Sequence, residues 1–166
     1  MNLRNLLVGA VAAVATVLPS PASAVTTYEL IETVRQSGIK VTINSERCNG
    51  TFYGSYQFHG MARTMNLCPG DTIDAVDHET VRHETWHAIQ HCINTMRGTP
   101  ANTPVVEDVN ELAEVVNESL SEYTVSQIKS SYPTDHWLIE FEAYVAEKHL
   151  TNEQLQAHFV DACTSY

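Results

Sequence analysis

The hydrophobic period of the chain changes once, near Thr72, and that switch constrains the fold more than any other feature. Before it, Ile39–Ile43, Thr51–Phe58 and Ala62–Leu67 are short β-branched or aromatic runs, separated by Asn49-Gly50 and Gly60 and closed by Pro69-Gly70-Asp71. Such runs between turn residues predict strands, here about three in a small antiparallel meander. A short helix over Val25–Ser37, ended by Gly38, precedes them. After the switch the period is that of a helix. Val81, Thr85, Ala88, Ile89, Cys92 and Met96 fall on one arc of a wheel, with His83 and His87 opposite. A long helix is predicted from Pro104 to about Lys129, with Val105, Val109, Leu112, Ala113, Val116, Leu120 and Tyr123 as its core stripe. Glu107, Glu111, Glu114, Glu118 and Glu122 line its other side. A further helix follows Pro133, presenting Trp137, Phe141, Tyr144 and Val145, and a last one runs from the Thr151-Asn152 cap to about Cys163. Strands first and helices after predict an α+β class, with helices packed on one face of a small sheet.

The first 24 residues stand outside that pattern. Arg4 precedes an apolar stretch from Leu6 to Leu18, followed by Pro19 and a small-x-small end, Ala22-Ser23-Ala24. These are the marks of a signal peptide cleaved after Ala24. As a helix the apolar stretch would rise only about 20 Å, short of a hydrocarbon layer of about 30 Å. No later segment approaches 18 apolar residues, so no membrane span is expected in the mature chain, a single domain over residues 25–166. Export to a periplasm or beyond the cell permits disulfides, and the four cysteines form an even set. Cys48–Cys68 and Cys92–Cys163 are the favoured pairs. A formal charge of −11 excludes binding through nucleic-acid phosphates. A monomer is expected.

His83-Glu84-Thr85-Trp86-His87 is an H-E-x-x-H on a predicted helix. Histidines at i and i+4 lie one turn apart on one face, so both rings can reach one metal ion, with the intervening carboxylate beside them as a base. His91 would extend the row over two turns, about 12 Å, too far for one ion, and is assigned to the rim. A catalytic zinc ion needs a third protein ligand and an open position. Glu107, Glu140 and Glu142 are the candidates. Glu107 belongs to an acidic stripe, and Glu140 groups with Glu147 on the polar side of its helix. Glu142 falls in an apolar arc, where a carboxylate is costly unless paired or bound to metal, and is favoured. Ala143 and Ala146 would let its helix approach the histidine helix closely.

With these two segments, His83–His87 and Glu142-Ala143-Tyr144-Val145-Ala146, the chain resembles gluzincin-type zinc metallopeptidases and small secreted bacterial proteins that carry both. The resemblance implies His83, His87 and Glu142 as zinc ligands and Glu84 as general base in peptide hydrolysis. It implies a peptide or protein substrate lying beside an edge strand, for which Ala62–Leu67 is the candidate. Tyr132 and His136 are candidate donors to the substrate or to a developing oxyanion. The alternatives are a zinc-dependent hydrolase of a non-peptide amide and a non-catalytic, zinc-binding interaction domain.

Overall fold

A computed structural model describes residues 24–44, 48, 53–68 and 78–164. The expected leader up to Ser23, the Asn49-Gly50 turn and the Pro69-Gly70-Asp71 turn lie outside the described residues.

Helix α1 (Thr27–Gln36) begins at a capping box, in which the Thr26 hydroxyl accepts the Glu29 N–H and the Glu29 carboxylate accepts the Thr26 N–H. It buries Leu30, Ile31 and Val34. Strands β1 (Lys40–Ile43), β2 (Gly54–His59) and β3 (Ala62–Leu67) follow. β2 and β3 form an antiparallel hairpin turned at Gly60, whose φ of 59° is a backbone state that glycine adopts without steric cost. β1, however, pairs with β3 in parallel, giving the order β1-β3-β2. The class is α+β, but the sheet is mixed and not the antiparallel meander expected. The Cys48–Cys68 disulfide fits this pairing. It joins residues just beyond the ends of β1 and β3, with Cα atoms 5.4 Å apart, and Asn44 N–H donates to Leu67 O beside it. β3 is central, so the expected edge strand Ala62–Leu67 is interior, and β1 and β2 are the edges.

The helical part comprises α2 (His78–Arg97), α3 (Val109–Ser119), α4 (Glu122–Ser131), a 3-10 turn (Thr134–His136), α5 (Trp137–His149) and α6 (Asn152–Cys163). The single long helix expected from Pro104 is thus two helices. Asp108 caps α3, Leu120 is extended, and Ser121 caps α4 by accepting the Thr124 N–H. Val105 and Val106 precede both helices and are fully buried, whereas Val109 and Tyr123, expected in a core stripe, are exposed. Two apolar clusters result. One joins α1, the sheet, α2 and α6, and the other joins α3, α4 and one face of α5. α5 sits between them, giving Ala143 and Ala146 to the first and Phe141 and Val145 to the second. Both expected disulfides are present. Among the described residues no helix is long and apolar enough to cross a membrane.

Cys92–Cys163 ties α2 to the end of α6 across 71 residues, against 20 for Cys48–Cys68. Closing the longer loop removes more unfolded-state entropy. A Cys92→Ala/Cys163→Ala protein should lose about 2–5 kcal/mol in urea unfolding, more than the other double variant.

Candidate metal centre

α2 is polar on two sides, and both are buried. His83, Glu84, Gln90 and Asn94 are all under one-tenth exposed. Their partners are supplied by α5, by strand β2 for Glu84, and by the non-helical segment before α3. His83 Nε2 and His87 Nε2 stand 3.1 Å apart. Glu140 Oε2 lies 3.3 Å from His83 Nε2, and Glu140 Oε1 lies 3.5 Å from His87 Nε2. Two nitrogens bound at about 2.0–2.1 Å to one tetrahedral ion stand roughly 3.3 Å apart, so the three separations match a shared ion. These three residues form a group able to hold a metal ion.

The other ring nitrogens are taken. His83 Nδ1 is 2.8 Å from Glu147 Oε2, and His87 Nδ1 is 2.7 Å from Gln90 Oε1. With acceptors on both Nδ1 atoms, both Nε2 atoms are turned toward Glu140. The electrostatics favour a cation there. Burial disfavours a charge on His83, but the Glu140 and Glu147 carboxylates overcome it and raise its pKa to about 10. Burial likewise opposes ionisation of Glu140, yet the two imidazoles hold it down at about 2. Glu140 Oε2 and Glu84 Oε2 are also buried without a hydrogen-bond partner. Oxygens in that condition suit an ion or water between them.

Glu84 projects from the same turn of α2. Burial pushes its carboxyl up, against the pull of His83 and His87, and the Tyr56 backbone N–H on edge strand β2 is its hydrogen-bond donor. That approach depends on Gly54. A Cβ there would stand 2.6 Å from Thr80 Cγ2 and 2.8 Å from Glu84 Oε1. His83, Glu84 and Glu147 line a cleft of about 440 Å³ between the start of β2, the first turns of α2 and the end of α4, whereas His87 and Glu140 lie behind it. Tyr132 and Tyr144 line it and hydrogen-bond to each other, and burial keeps both hydroxyls protonated. Tyr144 also packs edge-on against the His83 ring.

The sequence expectations divide clearly. His83, Glu84 and His87 come together, and Tyr132 joins them in the cleft. His136 stays in the 3-10 turn and does not line the cleft. His91 is away from the ion position, stacked on Phe58 and paired with the Tyr56 hydroxyl. Glu107 is surface-exposed and paired with Arg97. Glu142, the favoured third ligand, is not at the histidines. It is fully buried, and its carboxylate accepts from Val105 N–H, Val106 N–H and Gln90 Nε2. The inference that it needed a partner was sound, but backbone N–H groups fill that need. Glu140 is the carboxylate that stands at the two histidines, and Glu147 accepts from His83. Their shared polar stripe, with Tyr144 between them, was the signal that could have found them. Comparison with protein-family models, with curated proteins and with solved structures finds no match.

Metal uptake separates the two carboxylates. After dialysis against Zn2+ or Co2+, elemental analysis should find about one ion per wild-type chain. Glu140→Ala should lose it, and Glu107→Ala should keep it.

Proposed function

We propose that the protein is an exported zinc-dependent hydrolase that cleaves peptide bonds. One observation carries this reading. The Nε2 atoms of His83 and His87 and the Glu140 carboxylate converge on one point, and His83 and the buried Glu84 next to it in the chain, one of whose carboxylate oxygens has no partner, line a cleft. Two imidazoles and one carboxylate suit zinc, leaving a position free for chemistry. Zinc bound there supplies Lewis acidity towards a water molecule and the scissile carbonyl.

The chain's own residues perform the remaining work. Glu84 accepts a proton from the attacking water as its oxygen bonds to the carbonyl carbon. It then passes that proton to the amide nitrogen as the C–N bond breaks. Its raised pKa, a consequence of burial, brings it closer to the operating pH that such an exchange requires. Tyr132 lines the cleft with its hydroxyl protonated, and in this reading its O–H turns from Tyr144 to donate to charge developing on the carbonyl oxygen. Gly54, at the start of edge strand β2, leaves a backbone edge beside the cleft where an extended peptide can pair. The two disulfides accord with export.

Glu84→Gln tests the reading. The variant should retain about one zinc per chain while peptide hydrolysis falls by about 10²–10⁴-fold, the usual contribution of a general base. Wild-type hydrolysis that survives this substitution unchanged would remove Glu84 from the mechanism and the reading with it.

A further inference from the structure

Building on the metal-centre reading, we propose that Gln90 and Glu142 are positioning residues, a buried relay that fixes the ring tautomer of His87. For His87 to offer Nε2 to an ion, its single proton must sit on Nδ1. Nδ1 faces Gln90 Oε1 at 2.7 Å. An amide side chain has one accepting and one donating end, and the neighbours of one end decide which end faces the histidine. Gln90 Nε2 lies 2.7 Å from Glu142 Oε2 and 3.0 Å from Ile139 O, and both partners are acceptors. The NH₂ end therefore belongs there, and the oxygen is left to accept from His87. Glu142 cannot turn away, because its two oxygens also accept from Val105 N–H at 2.9 Å and Val106 N–H at 2.8 Å.

Orientation thus passes from the Val105-Val106 backbone through Glu142 and Gln90 to the ring of His87. Gln90 is 2% exposed and Glu142 is fully buried, so water has no room to substitute for either link. The two histidines are held differently as a result. His83 donates directly to the Glu147 carboxylate, whereas His87 donates to a neutral amide that a carboxylate orients.

The test uses full-length protein, first metal-free and then titrated with Zn2+. Long-range 1H–15N NMR spectra report the tautomer of His87, and the titration reports the zinc Kd. Wild type should show His87 with its proton on Nδ1 even without metal. Gln90→Met keeps the side-chain volume and leaves Glu142 with both backbone donors. It should give a mixed tautomer signal and raise the zinc Kd about 10–100-fold, the usual cost of losing a ligand's outer support. Glu142→Gln should shift both readouts the same way. If that variant does not fold, Gln90→Met decides alone. A Gln90→Met protein with the wild-type 15N pattern and a Kd within about twofold of wild type would overturn the relay. Should wild type take up no zinc, the metal-centre reading fails. The metal-free tautomer spectrum would still decide whether the relay exists.

Discussion

Burial of three carboxylates on one helix sets the terms for the rest of this molecule. Glu140, Glu142 and Glu147 all lie on α5 and are all under one-tenth exposed. A carboxylate removed from water without compensation costs several kcal/mol, so each must be met by donors or positive charge. Glu142 meets Gln90 and the backbone of Val105 and Val106. Glu147 meets Nδ1 of His83, while its own backbone carbonyl accepts from Arg82. Among the described residues, Glu140 meets the two Nε2 atoms. The packing of α5 against α2 follows from these demands as much as from Ala143 and Ala146. The segment before α3 is drawn across α2 by the same means, with Asn94 bonding Thr103 O and Arg97 bonding Val105 O.

This arrangement separates stiffness from access. The ligand side of α2 is enclosed by α5 and fixed by hydrogen bonds, which favours a pre-set ion position. Glu84 and the Tyr132–Tyr144 pair stand at the cleft side, where a substrate can arrive. β2 links the two, because its Tyr56 N–H holds Glu84 while Gly54 brings the strand close to α2. Under the peptidase reading, one strand edge both steadies the base and offers a pairing surface.

Much of this was legible in the sequence, and the failures share a cause. Local signals survived well. The helix cap at Thr151, the strand Ala62–Leu67 and the turn at Gly60 lie where residue chemistry put them. Both cysteine pairs were readable, but not the parallel pairing of β1 with β3, which depends on how non-adjacent strands meet. On α5 a helical wheel separates polar from apolar sides without saying what lies opposite. Glu140 and Glu147 looked solvent-facing because their stripe is polar, yet it packs on the polar stripe of α2. Glu142 looked like a ligand because its arc is apolar, yet its partners come from Val105 and Val106. Those two residues were read as part of a helix, and nothing local marks them as non-helical. The break at Leu120-Ser121 was hidden because the acidic spacing continues across it.

The account turns on one ion held by His83, His87 and Glu140. Anomalous diffraction from zinc-loaded crystals, collected on both sides of the zinc absorption edge, addresses this directly. The account predicts one strong peak per chain, about 2.0–2.2 Å from both Nε2 atoms and from a Glu140 oxygen, with Glu142 still on its backbone donors. A peak bound by other residues, or no peak between the two histidines, would contradict it.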